Sequence, residues 1–187
     1  MRRLMIAFAA LAFALPLQAA PETFTIDKGH TFINFKVSHI GFSWLPGRFT
    51  DFDGTLVYDE ANPANSKVEF TVNMPSLNTD HAERDKHLRS SDFLEADKYR
   101  TAKFVSTAYE KKSENDITLR GNLTIKGKTQ PVEFKVVEMA AAKDPWGNFR
   151  RGWSAKTSIA LADFGIDDFG GVVKNADIEI FLEATKK

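Results

Sequence analysis

The stretch TFINFKVSH, residues 31–39, decides the fold class because its apolar and polar side chains alternate. Ile33, Phe35 and Val37 fall on one face, and His39 follows on the same face at the end of the stretch. A period of two is that of a β-strand buried on one side, whereas a helix repeats every 3.6 residues. We therefore predict a half-buried strand whose last inward residue, His39, lies near a rim.

The same alternation recurs along most of the chain. Further strands are predicted over residues 48–58, 67–74, 103–110, 117–125, 132–138, 152–161 and 177–183. Leu45-Pro46-Gly47 reads as a turn, and a change of parity between Phe49 and Phe52 predicts a bend near Asp51. Eight one-sided strands without helical crossovers favour an all-β, antiparallel up-and-down barrel, a fold that removes exposed sheet edges.

One segment interrupts this alternation: residues 78–99, NTDHAERDKHLRSSDFLEADKY. Two capping patterns, one beginning at Asp80 and one at Asp92, predict two short helices. Helices of this length need a surface on which to pack. We expect a helical lid across one end of the barrel, held by the apolar side chains Leu88, Phe93 and Leu94.

Catalytic and metal-binding patterns are absent from the sequence. His81 and His87 are six residues apart, whereas the zinc-protease pattern HExxH places two histidines on one helical face. The chain has no GxSxG, P-loop, GxGxxG or EF-hand spacing, and its loop aspartates read as solvated turn formers. We therefore predict no catalytic residues and no metal site.

The first 19 residues have the pattern of an export signal. Arg2 and Arg3 precede the apolar run from Leu4 to Leu17, and Ala19 provides a small residue at the cleavage site. Residues 20–187 would then form one mature domain, located in the periplasm of a Gram-negative host. The run is too short for a membrane span, which needs about 20 apolar residues.

Charge and cysteine content exclude several classes of function. Without Arg2 and Arg3 the chain has 23 basic and 25 acidic residues, a net charge of about −2. Nucleic-acid binding would favour a basic excess, so no nucleic-acid partner is expected. The chain has no cysteine, which excludes disulfides and thiolate chemistry. An eight-stranded barrel is either filled by its own side chains or holds one small ligand, and both alternatives remain open here.

Four passages resemble the YceI-like family of exported bacterial proteins. They are residues 39–44 (HIGFSW), 49–55 (FTDFDGT), 81–94 (HAERDKHLRSSDFL) and 144–147 (DPWG). The resemblance implies an eight-stranded antiparallel, lipocalin-like barrel whose long cavity binds an isoprenoid chain, either a polyprenyl phosphate or a quinone. The resemblance implies no catalytic residues, because none belong to the description of the family. An enzyme acting on such a lipid, and a stress-related barrel with a filled core, are the alternative functions.

The resemblance and the strand parity together suggest the residues of a ligand site. The chain of the lipid is expected to contact Ile33, Phe35, Val37, Phe42, Phe49, Val72, Met74, Leu88, Phe104, Leu123 and Trp153. The candidates for the polar head group are His39, Trp44, His81 and Arg84, with Arg84 the best phosphate partner. The bound lipid is the one small molecule expected, without a further cofactor. We also expect transient contact with a membrane or membrane protein, and a homodimer remains open.

Overall fold

The computed structural model describes residues 20–187, so the signal peptide predicted over residues 1–19 lies outside the described chain. Within this range the protein consists of eleven β-strand segments, one α-helix and three short 3-10 turns. The elements are β1 (Glu22–Ile26), β2 (Phe32–His39), β3 (Ser43–Phe49), β4 (Phe52–Tyr58), β5 (Lys67–Asn73), β6 (Leu77–Asn78), α1 (Ala82–Arg89), β7 (Thr101–Ser113), β8 (Asp116–Ile125), β9 (Lys128–Lys143), β10 (Phe149–Ala160) and β11 (Asn175–Lys186).

The eleven segments form the eight strands of a closed barrel, and we call each of these eight barrel strands, continuous or interrupted, a stave. Three staves are interrupted and consist of two segments each: β1 with β2, β3 with β4, and β5 with β6. Every stave pairs antiparallel with the stave that follows it in the chain, and β11 closes the ring by pairing with β1 and β2. The predicted eight-stranded antiparallel barrel is therefore confirmed.

The predicted turn at Leu45-Pro46-Gly47 is wrong, because these residues lie inside β3. The chain reverses earlier, at Ile40 and Gly41, which both have positive φ angles. Pro46 has no N–H to donate, and it is tolerated because β6 pairs with β3 only further along, at Arg48 and Phe49. Proline is a misleading turn signal when one side of its strand has no partner.

The predicted bend near Asp51 is confirmed. β3 ends at Phe49 and β4 begins at Phe52, and the chain between them leaves the ladder that it shares with β2. The Asn73 backbone amide donates to the Asp51 carbonyl oxygen at 2.9 Å, and the Asn73 side-chain amide donates to the Asp51 carboxylate at 2.8 Å. These bonds join the bend to the neighbouring stave.

The lid contains one helix, so the prediction of two helices is wrong. Residues 90–99 form successive turns, in which Glu95 has a positive φ of 47°. The N-cap of α1 is His81, whose Nδ1 accepts a hydrogen bond from the Arg84 backbone amide at 3.2 Å. Asp80 does not cap the helix, because its backbone is itself left-handed with φ 59°. Among the described residues no helix is long and apolar enough to cross a membrane.

Candidate functional site

The barrel encloses a cavity of about 260 Å³ between the lid and the opposite end. Apolar side chains from all eight staves line it, and the few polar residues on the lining include Asn34, Lys103 and Asp167. An apolar cavity of about 150 Å³ is enough to bind benzene, so this space can hold a small apolar group. The side chains of the barrel therefore do not fill their own interior.

Two segments close the cavity at the lid end. Leu88, Phe93 and Leu94 face it from residues 78–99, as the sequence predicted for the apolar side chains of the lid. The second segment is the loop of residues 161–174, which contributes Ile166, Phe169 and Val173 to the lining. The sequence predicts a glycine-bearing loop over residues 163–174, but its position at the cavity was not predicted. Seven of the fourteen residues in this glycine-bearing loop are apolar, and this high apolar content was the signal that could have found it.

The helix of the lid is fastened to the chain through Thr79. Asp85 is buried and accepts hydrogen bonds from the Thr79 backbone amide at 2.9 Å and from its hydroxyl at 2.5 Å. Arg84 donates from Nε to the Thr79 hydroxyl oxygen at 2.8 Å and from Nη2 to the Thr79 carbonyl at 2.7 Å. At the other end of the helix Arg89 donates to the Leu77 carbonyl at 2.9 Å.

Lys126 joins the two segments that close the cavity. Its ammonium donates to the carbonyl oxygens of Phe93 at 2.8 Å and Gly165 at 3.1 Å. It also forms an ion pair with Glu95 at 3.0 Å, and the hydrogen bond from Lys126 lowers the pKa of the Glu95 carboxyl. A single cation thus connects the turn between β8 and β9 to both the lid and the loop of residues 161–174.

Aromatic side chains form the opposite end of the cavity. The Tyr58 ring lies 6.1 Å from the Tyr109 ring and 6.3 Å from the Trp153 ring. The Tyr109 hydroxyl is buried and has no hydrogen-bond partner among residues 20–187. Burial raises the pKa of Tyr109 well above its ordinary value, and nearby Tyr58 and Glu138 act in the same direction. This hydroxyl remains a neutral, unpaired donor.

A buried ion network lies beyond this aromatic end. Arg151 donates to Glu138 at 2.5 Å and to Glu60 at 2.6 Å, and Lys111 donates to the other Glu138 oxygen. Lys111 also donates to the Tyr58 hydroxyl at 3.2 Å, and the Arg151 guanidinium lies 4.3 Å from the Tyr58 ring centroid. Strand parity gives the inward direction of two members, because Glu138 continues the inward series of β9 and Arg151 precedes the inward Trp153 by two residues, but it does not show that they meet.

Ten of the fifteen candidate ligand residues line the cavity. They are Ile33, Phe35, Val37, Phe49, Val72, Met74, Leu88, Phe104, Leu123 and Trp153. Their positions follow from the period of the strands, since each lies on the inward face of a stave or on the lid. Tyr58 and Tyr109 also line the cavity, at its aromatic end, and were not among the predicted ligand residues.

The structure places three further candidates, His39, Phe42 and Trp44, outside the cavity lining. All three are exposed, because the β2–β3 hairpin continues past Val37, the last residue of β2 that faces the cavity. His39 keeps the inward parity, but at its level there is no barrel interior left to face. These residues form part of the outer rim at the lid end.

His81 and Arg84 also lie outside the cavity lining. His81 uses Nδ1 to cap the helix, and Arg84 uses Nε and Nη2 to hold Thr79. Arg84 therefore uses two of its five N–H donors within the lid, and its role as the phosphate partner stays a prediction. Short helices need such polar anchors, and sequence spacing cannot distinguish an anchor from a ligand.

One cluster has the composition of a metal site, formed by Asp27, His30 and Glu183. Arg150 lies within the cluster and donates to Asp27 at 2.5 Å and to Glu183 at 2.9 Å. The hydrogen bond from Arg150 is the main cause that lowers the pKa of Asp27 to about 2. A guanidinium therefore already neutralises these carboxylates, which makes the cluster an ion-pair network of the barrel wall.

Comparisons with known proteins agree with this architecture. The sequence model of the YceI-like domain matches residues 24–185. The chain is 44% identical over 185 residues to Protein YceI of Escherichia coli O17:K52:H18, covering 97% of this chain and 96% of that protein. It is also similar to the crystal structure of the Campylobacter jejuni YCEI protein, at 30% identity and a TM-score of 0.73, covering 87% of this chain and 97% of that one.

A more distant likeness extends to a polyisoprenoid binding domain from Saccharophagus degradans, which is implicated in plant cell wall breakdown. The two share 14% identity with a TM-score of 0.62, over 88% of this chain and 98% of that domain. At this identity the likeness shows a common fold. Because the YceI-like domain spans nearly all the described residues, and because the barrel has the fold of its solved relatives, the chain belongs to the YceI-like family.

Proposed function

We propose that this protein is an exported lipid-binding protein that holds an isoprenoid chain inside the barrel for transport or storage. The observation that carries the proposal is the apolar cavity of about 260 Å³ beneath a lid. The polyisoprenoid binding named for the Saccharophagus degradans domain, which shares the fold, supports the same class of guest. A polyprenyl phosphate and an isoprenoid quinone are the two candidate ligands.

The energetics of an apolar guest fit such a cavity. Each methylene group removed from water contributes about 0.8 kcal/mol, so a few isoprene units provide substantial binding energy. Ordering a flexible chain offsets part of this gain, and the affinity is correspondingly lower than the sum. A long chain also needs more room than the cavity offers as it stands, so the lid residues Leu88, Phe93 and Leu94 would have to move outward.

A binding protein accounts for the site better than an enzyme acting on the same lipid. The charged groups on the cavity lining have partners of their own: Lys103 forms an ion pair with Glu69, and Asp167 accepts from the Phe169 backbone amide. Beyond the aromatic end, Glu138 and Arg151 satisfy each other in a buried ion network. The alternative of a stress-related barrel with a filled core is less compatible with the open interior. Export to the periplasm through residues 1–19 belongs to this proposal as well, whereas monomer and homodimer stay open alternatives. Fractionation of host cells tests the location, and sedimentation of the purified protein tests the dimer.

Mass spectrometry of an organic extract tests the proposal directly. The protein is purified from its native host without detergent, and the extract is searched for polyprenyl lipids and quinones. We expect one such lipid at a substantial molar fraction of the protein. An extract without any isoprenoid, together with no rise in melting temperature on adding either lipid class, would refute the proposal.

A pair of matched variants links the lipid to the cavity. Ala155 lines the cavity at mid-barrel, whereas Ala141 is exposed on β9. Ala155→Phe places a ring in the space proposed for the guest, and Ala141→Phe makes the same change in solvent. We expect the extracted lipid to fall strongly in Ala155→Phe and to stay unchanged in Ala141→Phe, with both proteins folded by circular dichroism.

A further inference from the structure

Exposed apolar side chains gather at the lid end of the barrel. They are Ile40, Phe42, Trp44, Phe169 and Val172, and we call this set the apolar rim. Phe42 is 87% exposed and Phe169 is 57% exposed, so each has a face that nothing in residues 20–187 covers. Scattered apolar residues on a surface are ordinary, but several at one end of a barrel are informative.

Two neighbouring segments build the apolar rim. Ile40, Phe42 and Trp44 belong to the β2–β3 hairpin, which projects beyond the barrel. The other two members lie in the loop of residues 161–174. Val37 of β2 pairs with Ala176 at the start of β11, so the loop reaches the sheet directly beside this hairpin.

The apolar rim is continuous with the cavity through Phe169. This side chain lines the cavity and is also exposed outside, and its ring lies 5.4 Å from the buried Phe93 ring of the lid. An apolar path therefore runs from the interior, past the lid, to the outer surface. A hydrophobic chain that leaves along it needs little contact with water.

The chemistry of the apolar rim fits the surface of a lipid bilayer. Tryptophan favours the membrane–water interface, and phenylalanine is typical of apolar faces that insert at the boundary between head groups and acyl chains. The Lys36 ammonium lies 4.5 Å from the Trp44 ring centroid, where it can reach the head groups. The loop of residues 161–174 contains Asp167 and Asp168, and Asp177 follows it at the start of β11, so the region around the apolar rim has no basic excess. Attraction to anionic lipids is therefore not the main contribution to membrane binding by the apolar rim.

We propose that the apolar rim inserts into the surface of a phospholipid bilayer, where the proposed guest would be loaded or released through the lid. The inference rests on the proposed function for the identity of the guest, but membrane contact is measured separately from it. Insertion of apolar side chains predicts binding to uncharged phosphatidylcholine vesicles, and this binding persists at high salt.

Two tryptophan variants report where the membrane contacts the protein. The chain has three tryptophans, of which Trp153 is buried and Trp146 is exposed in the loop between β9 and β10, at the opposite end of the barrel. Trp146→Phe leaves Trp44 as the exposed reporter, and Trp44→Phe leaves Trp146. With phosphatidylcholine vesicles we expect a blue shift of emission in Trp146→Phe and no shift in Trp44→Phe.

A second pair of variants measures the contribution of one side chain. Phe42→Ser removes an aromatic ring from the apolar rim, and Phe181→Ser removes an exposed ring from the outer wall of β11. We expect vesicle binding in a flotation assay to weaken on the order of tenfold in Phe42→Ser and to stay unchanged in Phe181→Ser.

Three outcomes would overturn the inference: no binding to phosphatidylcholine vesicles, a shift in the Trp44→Phe variant, or unchanged binding in Phe42→Ser. Binding that requires anionic lipid and disappears in high salt would also overturn it, since that dependence marks an electrostatic contact. These results are distinguishable from failure of the proposed function, which is decided by the organic extract and the Ala155→Phe variant.

Discussion

The buried ion network beyond the aromatic end of the cavity makes a quantitative prediction about stability. Glu138 accepts from Arg151 and Lys111, and both Glu138 and Arg151 are buried, at 8% and 3% exposure. Glu138→Gln keeps the shape of the side chain and removes its charge. Arg151 then retains Glu60 as its remaining anionic partner, while Lys111 retains no carboxylate.

The expected loss follows from the two charged hydrogen bonds. Each of these bonds contributes about 1.5–3 kcal/mol to stability. The glutamine of the variant still has one side-chain oxygen that can accept a hydrogen bond, so part of this contribution is retained. We therefore expect the unfolding free energy to fall by about 3 kcal/mol, at the lower end of the cost of breaking a buried ion pair. For a domain of this size that corresponds to a melting temperature lower by about 6–12 °C.

Urea denaturation followed by circular dichroism measures this loss. The matched control is Glu133→Gln, which removes the charge that accepts from Arg120 at 3.0 Å and from Lys135 at 2.8 Å on the exposed outer face of the barrel. The control should lose less than about 1 kcal/mol, as exposed ion pairs do. If Glu138→Gln lost no more than the control, the burial argument would be wrong.

Three other substitutions give independent predictions. Tyr109→Phe removes a buried hydroxyl that has no partner among residues 20–187, so thermal unfolding should show a protein of equal or greater stability, by up to about 1 kcal/mol; a clear loss would mean that the hydroxyl has a partner. Arg150 lowers the pKa of Asp27 from 3.8 to about 2, so this carboxylate stabilises the fold fully above about pH 4 and progressively less towards pH 2. Urea titrations between pH 5 and pH 2 should therefore show a stability gap between the unaltered protein and Asp27→Asn that closes on acidification, and a constant gap would contradict the assignment. Gly47→Ala places a methyl group where the inward Phe35 ring lies, so urea denaturation should show a loss of about 1–3 kcal/mol in unfolding free energy. Gly152→Ala meets only ordinary contacts at 3.7 Å and should change stability little, so equal losses in the two variants would refute the steric argument.

Much of the barrel follows from local sequence, because alternate side chains of a strand point to opposite faces of the sheet, and one of these faces is buried. Ile33, Phe35 and Val37 recur with a period of two, and a sheet with one apolar face must bury that face. The same rule put nine of the fifteen candidate side chains on the cavity lining, and Leu88 reaches the lining from the lid. It failed at His39, because parity gives the direction of a side chain and not the height at which the interior ends.

Turns and polar anchors were harder to assign, since their signals depend on neighbours that are distant in the chain. Pro46 marks a turn in isolation, but it lies within a strand because that part of β3 has a partner on one side only. Arg84 has the chemistry of a phosphate ligand, yet Thr79 takes two of its donors. Charge and spacing are visible in a sequence, whereas the competition between acceptors is settled by packing.

The sequence by itself determined the β-architecture, the number of staves, the position of the lid and the apolar character of the interior, because each depends on side-chain order along one strand or segment. The tertiary structure alone decided that the interior stays partly empty, that Lys111, Glu138 and Arg151 meet beyond the cavity, and that Phe169 connects the cavity to the outer rim. These features depend on the volumes and distances between residues far apart in the chain, which only the closed barrel brings together.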